Sequence, residues 1–512
     1  MIKLHLQLLK KASLLHIKRN ISQTKSIMAL TKFEYVKSFE IENKLEALHW
    51  VVLSVYCVEH KEFLKQNNVK NGSEIIFRQI MSSVCSDVME EEKEIALGYA
   101  YSNIVHFILK RDTYLFKRRE YKLLSNIISR YSSAFIRNWR NFVETPLCKL
   151  PTFNGEIILL PQDQCLRDFV TNEQRKCHFI NLEETTLRNL VNIAKLSSTE
   201  ALEKVKNTNE GQKNELLFSL CNINYNNEPV EAKKGAIFLR NSNDCANFIK
   251  NEFWESSFPL TQKTEKNFKY DYLSSFKRRN HILPHTFLVV RIDGKGFSKF
   301  SATHKFEKPN DRRSLNLMNH AAITVMKKFP IVKLSYGQSD EYSFVIKRFG
   351  HGEKEGNSLI SRIVSVLTGS FTNYWKDFFS ETQLECNPVF DARLVLYPTL
   401  ESVRDYLSWR QADCHINNMY NTCFWKLVNE KGFSRTSAQE YLKGTFSEDK
   451  QRILKEELGF IYSDDEPMFR KGSVIYKDNL SGDNTLVVKH CDIIGPQFWI
   501  DNCNLLEEKR VS

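Results

Sequence analysis

Apolar positions in the second half of this chain fall in short runs that alternate or stop abruptly on an acid. That is the pattern of strands delivering a polar group at their tips. Residues 287–294 read Phe-Leu-Val-Val-Arg-Ile-Asp-Gly, an apolar run closing on Asp293. Leu334 to Tyr336 and the alternating Tyr342, Phe344 and Ile346 read as the two arms of a hairpin, with Gly337 to Glu341 as the turn. Each strand end carries an Asp, Asp293 and Asp340. Two carboxylates so placed suit a two-metal phosphoryl-transfer site, where paired Mg²⁺ ions bind the attacking and leaving oxygens. Either Asp alone reads more readily as a turn former than as a metal ligand.

The pattern occurs twice. Tyr35-Val36-Lys37-Ser38-Phe39 matches Tyr272-Leu273-Ser274-Ser275-Phe276, an offset of 237 residues, and Arg167 to Asn192 aligns without gaps onto Arg404 to Asn429 at the same offset. A period this long means tandem domains, because solenoid units run about 20–50 residues. The expected division is a basic extension at 1–27, a first copy at 28–255 and a second at 268–512, joined through a polar connector. The apolar runs Trp50 to Val55 and Phe107 to Leu109 persist, so the first copy is expected to fold. Its chemistry does not persist. Tyr56 stands at the position of Asp293, Cys57 at Gly294, Asn103 at Asp340 and Ile104 at Glu341. No catalytic metal pair is expected there.

Length and composition agree with two packed domains. The chain has 512 residues, 42% hydrophobic and 12% aromatic, enough for sizeable cores. No uninterrupted apolar stretch of about 18 residues suggests a membrane span. A formal charge of +12 suits a polyanionic partner such as nucleic acid. The 12 cysteines include no Cys-x-x-Cys pair, which argues against a zinc ribbon or a disulfide framework and fits a reducing compartment. Residues 1–33 hold seven Lys or Arg and no acid, interleaved with leucines. That stretch reads as a mitochondrial transit peptide or as a merely basic tail. Initiation at Met28 would give a cytoplasmic or nuclear form without it.

Longer motifs make the second copy recognisable. They are Phe287 to Phe297, His304 to Asp311 (His-Lys-Phe-Glu-Lys-Pro-Asn-Asp), Tyr336 to Phe344, Tyr406 to Asn418, Tyr420 to Trp425 and His490 to Gly495. Together they closely resemble the tRNA-His guanylyltransferase family over residues 268–503. The resemblance implies an α+β fold of two tandem palm-like domains, each a ferredoxin-like antiparallel sheet with helices, as in polymerases and nucleotide cyclases. It also implies addition of guanylate to the 5′ end of tRNA-His in the 3′-to-5′ direction. ATP first activates the 5′ phosphate, the GTP 3′-hydroxyl then attacks, and pyrophosphate is finally removed. Family members form multimers, so a homodimer of two-domain chains is expected. Two other readings stay open. One is a broader 3′-to-5′ tRNA repair polymerase; the other is a tRNA-binding protein that has lost catalysis.

Carried onto this chain, the resemblance implies that Asp293, Asp340 and the Gly294 carbonyl bind two Mg²⁺ ions. Asp293, Gly294, Lys295, Gly296, Phe297 and Ser298 would wrap the nucleotide, with Ser339 and Asp340 beside it. Lys308 would neutralise phosphate or is an ordinary loop lysine. Asp311 would join the site or cap a helix starting near Arg312. Arg410, His415, Asn417, Asn418 and Lys450 would contact tRNA, and His415 reads equally as part of a buried network, since the first copy keeps His178. The family's basic stretch survives only in the first copy, as Phe116-Lys117-Arg118-Arg119-Glu120-Tyr121-Lys122. It reads as a solvated helix start or as a phosphate-binding patch acting on the neighbouring copy.

Overall fold

Strand for strand, the two halves build the same sheet. The computed structural model describes residues 32–69, 73–239, 270–347, 354–478 and 485–506. The extension at 1–27 and the connector lie outside them. In the first copy, β1 (Trp50–Cys57), β2 (Ile95–Tyr101), β3 (Ile104–Leu109), β4 (Phe153–Leu160) and β5 (Ala236–Leu239) form a sheet in the order β4-β1-β3-β2-β5. In the second, β6 (Phe287–Gly294), β7 (Val332–Gln338), β8 (Glu341–Ile346), β9 (Phe390–Tyr397) and β10 (Ser473–Lys477) repeat that order, and β11 (Leu486–Lys489) extends it. Every pairing is antiparallel. Among the described residues no helix is long and apolar enough to cross a membrane.

Period-two alternation assigns each strand's two faces to different cores. In β1, Val51, Leu53 and Val55 point into the largest apolar cluster, while Trp50 and Val52 point to the other face. In β6, Leu288, Val290 and Ile292 join that same large cluster, while Phe287 and Val289 face outward. The large cluster therefore holds residues of both copies. The long helices within it are α1 (Ser73–Glu91) and α2 (Glu120–Phe142) from the first copy, α4 (Arg312–Lys328) and α5 (Gly356–Asn373) from the second. The outer faces are covered by α3 (Asp163–Asn192) and α6 (Leu400–Lys431).

Helices α2 and α5 cross each other and lie along the edge strand of the opposite copy. Edge strands β4 and β9 would otherwise end in unpaired N–H groups. Serine hydroxyls take them instead. Phe153 N–H donates to Ser365 Oγ at 2.9 Å and Gly155 N–H to Ser361 Oγ at 3.0 Å. In reverse, Phe390 N–H donates to Ser129 Oγ at 2.8 Å and Ala392 N–H to Ser125 Oγ at 2.9 Å. The crossing is bridged by Ser129 with Thr368 at 2.9 Å and Ser132 with Ser365 at 3.1 Å. Small polar residues are needed here because a larger side chain would hold the helix off the edge.

Two short helical arms are also exchanged. Glu34–Phe39 packs on β9 and α6, and Tyr270–Phe276 packs on β4 and α3. Tyr35 Oη donates to Asp405 at 2.6 Å, and Tyr272 Oη to Asp168 at 2.7 Å, the same contact at the repeat offset.

One difference from the sequence reading concerns the hairpin. The β7–β8 ladder runs on to Gln338 opposite Glu341, so the turn is only Ser339-Asp340. Ser339 takes φ +52°, which lets two residues reverse the chain. Because the strand edges are buried, Ser365→Ala should leave the Phe153 N–H without a partner and cost about 1–3 kcal/mol in urea unfolding. A change under a few tenths of a kcal/mol would show that the edge is not sealed by this bond.

Candidate active site

Strand β6 ends in Ile292-Asp293-Gly294, and its partner β8 begins at Glu341, with Asp293 opposite Glu341. That register sets the Ser339-Asp340 turn beside the β6 tip. Gly294 N–H donates to the Asp340 carbonyl at 3.1 Å. A Cβ on Gly294 would sit 2.6 Å from Asp340 Oδ2. Glycine is required because the Phe297 ring and the Asp340 carboxylate both crowd the backbone there. Asp293 and Asp340 open into one cleft of about 680 Å³ that also receives Ser298, Lys308, Ser339 and Asn417. This volume is within the usual range for small-ligand sites.

The two carboxyls are held in a state that favours a cation. Burial, then the neighbouring Asp293, raises Asp340 to about 7. Asp293, though open to the cleft, is raised by the protein packed around it and by Asp391, its partner on the neighbouring strand β9; Arg291, Lys122 and Arg393 act the other way. A divalent ion between them would relieve this repulsion. Among the described residues no group of three or more His, Cys, Asp or Glu forms a metal cage. Mg²⁺ does not need one, since it is commonly held by one or two carboxylates plus substrate phosphates. Two hard carboxylates and the backbone oxygen of a cramped glycine fit such an ion.

The other expected residues separate into those in the cleft and those engaged elsewhere. Lys308 reaches the cleft with Nζ 3.1 Å from Ser301 Oγ; burial lowers its ammonium from the ordinary range. Ser298 and Ser339 are exposed, and Gly296 turns the chain at φ +69°. Phe297 borders the cleft, but its ring packs on Phe371 and Phe390 in the core. Lys295 points away, its ammonium 4.1 Å from the Phe116 ring of the first copy. Asp311 is a helix cap: its Oδ1 accepts from Arg313 N–H at 2.9 Å at the start of α4.

All five residues expected to touch tRNA have internal partners, and four of them are buried or half-buried. Arg410 is buried and paired with Glu341 at 2.7 Å and Asp413 at 2.9 Å. Asn418 is buried, donating to Tyr462 Oη and Asp465 while accepting from Asn310 at 2.8 Å. His415 stacks edge-on to Tyr462 at 5.3 Å, and burial lowers its pKa. Lys450 donates to the Thr445 carbonyl at 2.8 Å. The first copy repeats the last three sets of contacts but not those of Arg410, where it has Glu173. His178 meets Tyr225 at 5.5 Å, Asn181 donates to Tyr225, and Lys213 donates to Thr208. Contacts kept in a copy that lacks the counterparts of Asp293 and Asp340 do not depend on those acids. Asn417 differs: its amide donates to Asp413 at 3.1 Å but is exposed in the cleft, and Ile180 replaces it in the first copy.

In that first copy the Tyr56 hydroxyl accepts from Asn154 at 2.5 Å, and Asn103 donates to the Cys57 carbonyl at 3.2 Å. The turn survives on an amide while both charges are gone.

Family profiles match this chain twice over. One described as tRNAHis guanylyltransferase covers residues 33–161 and 270–398, and one described as Thg1 C terminal domain covers 164–285 and 401–493. The chain belongs to the tRNA(His) guanylyltransferase family. It is 33% identical to tRNA(His) guanylyltransferase 1 of Arabidopsis thaliana over 95% of this chain and 93% of that one. It is 44% identical to a probable tRNA(His) guanylyltransferase of Dictyostelium discoideum over 48% of this chain and 99% of that one. A crystal structure of the Saccharomyces cerevisiae enzyme matches 46% of this chain and 99% of its own at 38% identity and a TM-score of 0.42.

Within this family member's site, sequence reasoning missed three contributors. Asp391 sits in an ordinary-looking strand and carries no motif. Trp425 of α6 and Arg435, which starts the next helix (Arg435–Leu442), wall the cleft, with the guanidinium 5.3 Å from the indole ring.

The raised Asp340 gives a test by pH. Its carboxyl ordinarily titrates near 3.8 and here near 7, so between those values the folded state holds more protons and stability falls as pH rises. Asp340→Asn should stabilise the metal-free protein by roughly 1–3 kcal/mol at pH 8 and much less at pH 4. Denaturation midpoints with a chelator present measure it, and an equal gain at both pH values would contradict the assignment.

Proposed function

We propose that the second copy adds a guanylate to the 5′ end of tRNA-His in the 3′-to-5′ direction, with ATP activating the 5′ phosphate and GTP supplying the nucleotide. The observation that carries this reading is the pairing of Asp293 and Asp340 over Gly294 in a nucleotide-sized cleft, in the one copy that keeps both acids. Asp293, Asp340 and the Gly294 carbonyl are the residues that would hold Mg²⁺. Bound there, Mg²⁺ would neutralise phosphate charge and polarise the reacting oxygens.

The chain's own groups supply the rest. Lys308 is a partly dehydrated cation facing the cleft, so its attraction for phosphate is less screened than that of a surface lysine. Exposed Ser298 and Ser339 offer hydroxyls on either side of the acids. Asn417 offers an amide to a base edge or phosphate at the cleft mouth, where unpaired RNA ends are read.

The basic stretch of the first copy divides in the same way. Arg118 is buried and donates to the Thr113 and His49 carbonyls, and Arg119 is paired with Glu42. These two hold the helix start. Lys122 reaches across to the second copy, with Nζ 3.0 Å from Asp391, whose strand partner is Asp293. The first copy thus contributes a single cation beside the other copy's acids, consistent with action on its neighbour.

Labelled GTP incorporation into monophosphorylated tRNA-His tests the reading. Asp293→Ala and Asp340→Ala should each abolish incorporation in Mg²⁺ while the protein stays folded, and near-normal turnover in either would refute the two-metal assignment. Lys122→Ala should raise KM for GTP or tRNA by about tenfold, the loss of one charge-assisted contact, and also loosen the docking of the copies, since it leaves the part-buried Asp391 unpaired. Arg118→Ala should lower the melting temperature without that rise in KM, since it strips one buried and one part-buried carbonyl of their donor.

A further inference from the structure

The contacts between the copies fall into two kinds. The serine-sealed edges and the Tyr35–Asp405 and Tyr272–Asp168 bonds are the same in both directions. They would serve equally in a pair of first copies or a pair of second copies. The charged contacts are not the same. The first arm's Glu40 pairs with Arg393 of β9 at 2.7 Å and with Arg291 of β6 at 2.7 Å. At the repeat offset, the second arm's Lys277 pairs with Glu156 of β4 at 2.7 Å. Lys277 stands where Glu40 stands, and Glu156 where Arg393 stands, so the same contact is made with its signs reversed.

From this we infer that the arms form a heterotypic lock: each copy accepts the arm of the other kind and rejects its own. Two first copies would set Glu40 against Glu156, and two second copies Lys277 against Arg393. These side chains are partly buried, at 16% and 26% exposure for Glu40 and Arg393 and 28% and 25% for Lys277 and Glu156. Like charges there cannot be screened fully by water. Two further contacts point the same way. Glu120 is fully buried, and its partners come from the second copy: Asn357 donates at 2.9 Å and Arg278 lies 3.7 Å away. In a pair of first copies those places fall to Tyr121 and Ile41, leaving a buried carboxylate uncompensated. Helices α2 and α5 align one residue short of the repeat, so Ser358 replaces Lys122. A pair of second copies would leave Asp391 without its ammonium. The shared contacts bind, and the reversed charges choose the partner. Each catalytic copy is thereby tied to a copy without carboxylates.

Single changes in the full-length chain recreate the rejected contacts. Lys277→Glu sets acid on acid, as two first copies would, and Glu156→Arg sets base on base, as two second copies would. Hydrogen exchange of residues 270–277 and β4 reports on docking independently of catalysis. Each single variant should exchange at least about tenfold faster there than wild type, and faster than the neutral Lys277→Gln, since a repelling pair costs more than a missing one. The double swap Lys277→Glu with Glu156→Arg should return to within about threefold of wild type, because the reversed pair restores attraction. If a single variant does not fold, a folded swap still supports the lock. Unchanged protection in both singles, or a swap no better than the worse single, overturns it.

Discussion

Sealing of two sheet edges by serines from the opposite copy is the constraint from which the rest of this molecule follows. A sheet edge buried without partners would forfeit several hydrogen bonds in a place water cannot reach. Here α2 and α5 can lie on the opposite edge only because Ser125, Ser129, Ser361 and Ser365 are short and accept N–H groups. Once the helices are seated, the apolar faces of both sheets merge into a single cluster. The first copy therefore has work that does not depend on catalysis. Without it, β9 would be an open edge and α5 would expose an apolar face.

The same seating couples that scaffold to the site. Strand β9 pairs with β6, so whatever covers its edge lies next to Asp293. Helix α2 brings Lys122 to Asp391 and its preceding turn brings Phe116 under Lys295. A group from one copy thus adjusts the charge around the acids of the other. The acids themselves oppose folding: Asp340 is raised by burial and by its neighbour. Stability lost at a functional site is a common trade. In the first copy that trade has been reversed, with Tyr56 and Asn103 bonded to Asn154 and Cys57.

Comparing the copies also separates binding from support within α6 and the short helix Ser447–Arg452 beside it. His415, Asn418 and Lys450 keep their partners where no reaction is expected, so those contacts hold helices together. Arg410 and Asn417 change between copies. Arg410 is committed to Glu341 and Asp413 behind the turn, whereas Asn417 remains open to the cleft. A residue type fitted to RNA contact is a weak guide when the same side chain satisfies a buried network equally well.

Much of the fold was legible in the chain, because its signals are local. Apolar alternation placed β6, β7 and β8, an acid after an apolar run placed Asp293 at a strand tip, and Asp311 preceded a helix in capping position. The repeat offset aligned β1 with β6 and β4 with β9 to the residue. The loss of Asp293 and Asp340 equivalents in the first copy followed from identity alone, since tyrosine and asparagine carry no carboxylate. The tertiary structure decided everything that depends on approach between distant segments. It turned Lys295 toward Phe116, buried Arg410, brought Lys122 269 residues along the chain to Asp391, and set Trp425 in the cleft wall. Those outcomes are set by which strand edge receives which helix, and periodicity along the sequence holds no record of that choice.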